Sequence, residues 1–269
     1  MIEQVSLRNP ESPQGQRICM GADVEKYSCL DTRAQSAVQA DLVRLLDEAA
    51  AFSGLDRTTW ERQPQGDSEF AVLPESTPET AVLGPFVQHL TACLRVFNAR
   101  VAAPRIRLRL AVDAGIAAGS ALGHAGPAPV AVARYINSAQ LKATLTGLPT
   151  ADLAVMISDR LYQDVVRSGH PDLDPGQYLR VHVRVKEFLG YAWILVPGHG
   201  PDEMREFVDG PTNPWPVPPA AATAIAVAAA PMPLTQHVKH GAAVGRDVHG
   251  TITIGAPAHF PRNSLRYAR

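Results

Sequence analysis

Two aspartates stand in frames that suit carboxylate chemistry. Asp23 ends an apolar run, Ile18-Cys19-Met20-Gly21-Ala22, and is followed by Val24-Glu25-Lys26-Tyr27-Ser28. Asp67 follows Gly66 in a turn-like stretch and leads into Phe70-Ala71-Val72-Leu73. A carboxylate at the end of a buried strand is held at the rim of a sheet. Two of them on neighbouring strands can hold a hard divalent cation, Mg²⁺ or Mn²⁺, against a polyphosphate. A Gly-Asp pair alone is also an ordinary turn signal, so the weight lies in the two frames together. Other chemistry-bearing residues are weaker. His237 and His240 are spaced by three, but no cysteine or carboxylate completes a zinc set with them. Gly198-His199-Gly200 lacks the strand-to-helix setting of a phosphate loop and reads as a turn. Ser158 has no Gly-x-Ser-x-Gly elbow around it and reads as a helix N-cap.

Periodicity identifies the elements that must position the two aspartates. Arg17 to Asp23 reads as a buried strand. Asp31 is placed to cap a helix whose apolar stripe is Val38, Leu42, Leu45, Leu46 and Ala49. Trp60–Gln65 and Glu69–Leu73 flank Gly66-Asp67 as a hairpin. A second helix runs from Pro78 to Asn98. Ile106 to Val112 alternates Arg107 and Arg109 against Leu108 and Leu110, the pattern of a half-buried strand. Gly115 to Gly126 reads as a glycine- and alanine-rich turn, and Val130 to Thr144 as helix. A buried strand at Leu153–Ile157 leads into a helix over Asp159–Arg167. Strands at Tyr178–Val185 and Tyr191–Val196 come last. The order β-α-β-β-α-β-α-β-α-β-β predicts an α+β, ferredoxin-like sheet with helices on one face.

The chain divides by composition. Residues 1–16 read as a flexible leader and 17–200 as the folded domain. Residues 201–236 read as a Pro/Ala-rich linker, and 237–269 as a short β-like C-terminal extension. The formal net charge of −1 argues against a nucleic-acid-binding surface as the main purpose. Three cysteines are too few for a disulfide framework and favour a reducing, cytoplasmic setting. Glu3, Arg8 and Glu11 interrupt the N-terminus, so no signal peptide is expected. No stretch reaches the roughly 20 apolar residues that a membrane span needs.

Residues 17 to about 197 resemble a class III nucleotidyl cyclase homology domain. The match is carried by Asp23-Val24-Glu25-Lys26-Tyr27-Ser28, by Gly66-Asp67, and by Arg107-Leu108-Arg109-Leu110-Ala111-Val112-Asp113-Ala114-Gly115 with Gly119 and Gly123. It continues in Ala154-Val155-Met156-Ile157-Ser158 with Leu161-Tyr162, and in Val185-Lys186-Glu187-Phe188-Leu189-Gly190. The resemblance implies that Asp23 and Asp67 bind the metal, Mg²⁺ or Mn²⁺, and that Arg134 and Lys186 contact phosphate. It also implies a homodimer whose sites lie between protomers.

The departures from the family pattern bear on activity. Gln63 stands where the family carries a base-selecting lysine. Gly123 to Pro129 holds no acidic or hydroxyl residue for the second base contact. Val130 stands where an asparagine aims at the transition state, and Asp113 where histidine is common. The expected function is a divergent cyclase-homology protein impaired in catalysis, acting as a nucleotide- or metal-binding or dimeric regulatory module in signalling. One alternative is an active cyclase that uses a pyrimidine triphosphate. Another is a non-enzymatic interaction protein that recruits a partner through its C-terminal segment.

Overall fold

The computed structural model describes residues 15–100 and 105–208. Its centre is strand β1 (Gly15–Val24), paired antiparallel to β3 (Ser68–Val72) on one side and to β4 (Leu108–Ser120) on the other. β2 (Glu61–Gln65) extends the sheet beyond β3. β6 (Leu153–Ser158) runs parallel to β4, and β8 (Phe188–Leu195) and β7 (Leu179–Val185) complete the order β2-β3-β1-β4-β6-β8-β7. A short β5 (Gly123–Ala125) folds back on the end of β4 as an arm. The expected mixed α+β sheet is present. The stretch read as a turn, Gly115 to Gly126, is instead the far end of β4 with β5, because backbone pairing to β1 continues to Ala117.

The expectation of helices on one face is corrected. On one face, α1 (Thr32–Phe52) and the helical run α2 (Glu79–Ala81), a π turn (Val82–Phe86) and α3 (Val87–Arg100) pack on Ile18, Met20, Ala22, Leu108, Leu110 and Val155. On the other, α4 (Pro127–Ile136), α5 (Ala139–Gly147) and α7 (Pro201–Val208) cover Cys19, Ala111, Ala154, Met156, Val181 and Ile194. The physical reason shows in β6, where every residue from Leu153 to Ser158 is buried, the mark of a strand covered on both sides. The helix expected over Val130–Thr144 breaks in two at Asn137-Ser138. There Ser138 takes an extended backbone and caps α5 by accepting from the Leu141 amide at 3.3 Å. Asp31 caps α1 and Ser158 caps α6 (Asp159–Asp164), as read from sequence.

The folded core also extends past residue 200. Pro201–Val208 is helical, with Met204 and Val208 buried against the second layer, so the linker expectation does not hold for these eight residues. Pro201 suits the first helical turn, where its missing N–H costs nothing. The expectations for residues 1–14, for 209–236 and for the 237–269 extension, His237 and His240 included, lie outside the described residues. Among the described residues no helix is long and apolar enough to cross a membrane.

The hairpin that carries Asp67 is anchored by a buried ion pair. Arg57, in the turn before β2, donates to both carboxylate oxygens of Glu69 on β3, at 2.5 and 3.2 Å, and to Asp47 on α1 at 2.5 Å. Arg57 and Glu69 are 5% and 6% exposed. Breaking a buried pair strands one charge and typically costs about 3–5 kcal/mol. Glu69→Ala should therefore lower unfolding free energy by about 3–5 kcal/mol in urea titrations. Replacing Arg57 and Glu69 together by apolar residues should recover much of that loss. A near-neutral Glu69→Ala would show that the pair does not anchor the hairpin.

Candidate functional site

The alternation of β1 decides where Asp23 points. Ile18, Met20 and Ala22 face the α1/α3 layer, so Cys19, Gly21 and Asp23 face the α4 layer. α4 packs close over that face. A Cβ on Gly21 would come within 2.9 Å of Val132. Asp23 is flanked in register by Ser68 on β3 and by Arg109 on β4. The hairpin turn is tight, with Gly66 at φ 69°, and the Asp67 carbonyl accepts from the Val24 amide at 3.0 Å. That bond ties Asp67 to the residue after Asp23, and the two carboxylates interact electrostatically.

Arg109 forms an ion pair with Asp23, and both side chains are largely covered, at 14% and 20% exposed. The pair is close but poorly aligned. Arg109 Nη2 contacts Asp23 Oδ2, and Arg109 Nε is buried without a hydrogen-bond partner among the described residues. Burial raises the Asp23 carboxyl above its usual range. Arg109 opposes that shift and the Asp67 charge adds to it. The site thus holds a carboxylate paired with a guanidinium that keeps one N–H, on Nε, without a partner among the described residues.

Asp23 and Gln63 line one cleft of about 330 Å³ between β1, the β2–β3 hairpin, the β4–β5 arm and α4. Gln63 lies over Gly123, where an added Cβ would collide with its amide nitrogen. Gly123 has φ +125°, a backbone conformation that favours glycine. Gln65, Ser68, His124 and Asn137 supply further polar groups, and Phe70, Val132 and Ile136 supply apolar walls.

Arg134 and Lys186 lie elsewhere. Arg134 sits on α4 but does not line the cleft. It pairs at 2.6 Å with Glu187 in the β7–β8 turn, where Lys186 has φ 54°. Val130, in the first turn of α4, is 47% exposed. The structure therefore places Asp23 and Gln63 in one cleft, with Asp67 tied by its backbone to Val24, and Arg134 with the Lys186 turn. The sequence pattern did not single out Arg109 or His124 as site residues. Arg109 had a signal: a charge that alternates with leucines on a strand must face a partner or solvent. His124 had none, since its place depends on the arm folding back. Among the described residues no group of three or more His, Cys, Asp or Glu is placed to hold a metal ion.

No family model matches the chain, and no curated protein matches it. Among solved structures, it is similar to the guanylyl cyclase Cya2, at 12% identity and TM-score 0.48, with 70% of this chain and 95% of that chain covered. It is similar to the adenylyl cyclase CyaB from P. aeruginosa, at 11% identity and TM-score 0.46, covering 69% and 95%. It is also similar to an adenylate/guanylate cyclase/hydrolase from Silicibacter pomeroyi, at 16% identity and TM-score 0.47, covering 69% and 99%.

The raised Asp23 carboxyl has a consequence for stability. The folded state holds that proton to higher pH than the unfolded chain does. Asp23 therefore weakens the fold as pH rises from the acid range towards neutrality, and adds no cost below the ordinary carboxylate range. Asp23→Asn should melt above the parent protein at neutral pH, with the gap closing as pH falls. Melting curves of both proteins across that range check this. A variant that melts lower at neutral pH would show that the attraction of Arg109 outweighs burial.

Proposed function

We propose that this chain is a nucleotidyl-cyclase-like module that binds a nucleoside triphosphate and is impaired in cyclisation. The observation that carries the reading is the half-buried ion pair at the rim of the sheet, Arg109 Nη2 on Asp23 Oδ2, with Arg109 Nε left without a hydrogen-bond partner among the described residues and the Asp67 charge acting on Asp23. A buried polar atom without a partner is costly unless something supplies one. A cation suits the two carboxylates and a phosphate suits the guanidinium.

The donor set fits Mg²⁺ or Mn²⁺. Only carboxylate oxygens are offered, and Mg²⁺ commonly takes one or two carboxylates, with water and substrate phosphate completing its shell. Asp23 and Asp67 would hold it. Bound there, such an ion supplies charge neutralisation at the phosphates. The chain's own contribution is positional. β1 and the hairpin turn bring the Asp67 backbone against the residue after Asp23, through the bond from the Val24 amide to the Asp67 carbonyl. Arg109, once its partner is otherwise engaged, is free to meet a phosphate oxygen. The cleft holds the uncharged part of the ligand against Gln63 and Phe70.

Impairment rests on α4. Val130 offers no hydrogen bond where the resemblance expects a donor to the reacting phosphate, and the loss of one such donor costs about 10²–10³ in rate. Arg134 pairs with the largely exposed Glu187 and does not line the cleft. Exposed Ile116, Leu122 and Val130, at 51%, 100% and 47%, lie on the arm and the first turn of α4. They suit cover by a second copy of the chain, which agrees with the homodimer that the resemblance implies. A second reading, an active cyclase selective for a pyrimidine base, is favoured by one observation: the uncharged amide of Gln63 lies in the cleft in place of a lysine.

The test is incubation of the purified chain with Mn²⁺ or Mg²⁺ and each of the four ribonucleoside triphosphates. The expected result is metal-dependent nucleotide binding, lost in Asp67→Ala, with no cyclic product above background. Robust cyclic AMP or cyclic GMP formation that Asp23→Ala abolishes would overturn the impairment. Turnover of UTP or CTP alone would establish the second reading. Absence of binding by every nucleotide would remove both.

A further inference from the structure

The β4–β5 arm carries a histidine with no part in holding metal or phosphate. His124 lies on β5 opposite Gly119, and the arm returns to α4 through Gly126 at φ +131°. A Cβ at Gly126 would collide with the Ile116 carbonyl oxygen, so the return path is closely set. The His124 side chain is 8% exposed and lines the same cleft as Asp23 and Gln63. Its Nε2 lies 2.8 Å from Glu61 Oε2, and Arg17 donates to the other oxygen of Glu61 at 2.8 Å. Its Nδ1 is buried with no hydrogen-bond partner among the described residues.

Glu61 determines which nitrogen carries the proton. The His124 contact, and then Arg17, hold its carboxyl below the ordinary range. An ionised carboxylate only accepts. In the neutral ring, therefore, Nε2 is the donor to Glu61, and Nδ1 is left as an acceptor. A buried acceptor wants a donor, and none comes from the described residues. The surroundings say what kind of group could bring one. The Phe70 ring lies 5.8 Å from the imidazole, and Val132 and Ile136 form apolar walls. Among the described residues no lysine or arginine lines the cleft, so it suits a neutral planar group rather than a phosphate. Gln63, whose flexible side chain lies over neighbouring Gly123, can swing aside.

We propose that His124 Nδ1 is a specificity contact that accepts a hydrogen bond from the exocyclic amine of an amino-bearing heterocycle in this cleft. The proposal rests on the nucleotide-binding reading and names its base class: a 6-aminopurine or a 4-aminopyrimidine. Glu61 acts as a positioning residue that fixes the tautomer.

The test compares ATP and CTP with their deamino counterparts, in which hydrogen replaces the exocyclic amine. Binding to the full chain is measured by calorimetry with Mn²⁺ at alkaline pH. At least one of the two amines should bind about tenfold more tightly than its deamino partner, the scale of one hydrogen bond whose loss leaves a buried acceptor unpaired. His124→Phe should erase that difference. Glu61→Gln can donate to Nε2 and so move the ring proton to Nδ1. It should abolish the preference for the amine or reverse it, which a merely structural Glu61 would not do. Should the phenylalanine variant lose its fold, the glutamine variant carries the test. Equal binding of both pairs, or a preference that survives either substitution, overturns this proposal alone. Failure of every nucleotide to bind overturns it together with the reading on which it rests.

Discussion

β1 pairs with β3 on one side and with β4 on the other, and the register of these two ladders governs the geometry of the site. It places Ser68 and Arg109 on either side of Asp23. The two-residue period of the strand then sends Asp23 to the α4 face, while Ala22 and Val24 go to the α1/α3 face. A slip of one residue in either ladder would turn the carboxylate into the apolar layer. The cleft, the ion pair with Arg109 and the approach of Asp67 all depend on that register. The register itself is specified by apolar residues on both faces of β1 and β4.

Two acid–arginine pairs in the same region, one buried and one half-buried, differ in how they satisfy their own charges. Arg57 donates two hydrogen bonds to Glu69 and a third to Asp47. Arg109 meets Asp23 through Nη2 and Oδ2 but leaves its Nε without a hydrogen-bond partner among the described residues. The first arrangement satisfies its charges internally and fits an anchor for the hairpin. The second leaves capacity on the guanidinium. Buried polar groups are nearly always paired in native proteins, so the unused Nε of Arg109 is capacity at the mouth of the cleft. The stability cost falls on the site and is carried by the core around it.

Much of the architecture was legible in the chain. Asp31 and Ser158 as N-caps, the helical stripe from Val38 to Ala49, the hairpin around Gly66-Asp67 and the Arg/Leu alternation of β4 are local patterns with local causes. What went astray depended on distant partners. Gly115 to Gly126 reads as a turn because glycine and alanine are abundant there, yet pairing to β1 makes it strand. The break at Asn137-Ser138 needs a serine to prefer capping over continuing a helix, and the periodicity of either half does not show that. Pro201–Val208 reads as the start of a linker until Met204 and Val208 find an apolar face to cover.

The sequence by itself determined the strand and helix types, the frames of Asp23 and Asp67, and the departures at Gln63 and Val130. These depend on residues near each other in the chain, where backbone preference and side-chain period act directly. The tertiary structure alone decided that helices cover both faces and that Arg109 stands opposite Asp23. It also decided that Arg134 meets Glu187 rather than the cleft, and that His124 comes to rest on Glu61. Each of these is a contact between segments far apart in sequence. Such contacts are set by strand register and by which face a helix covers, quantities that only the packed sheet defines.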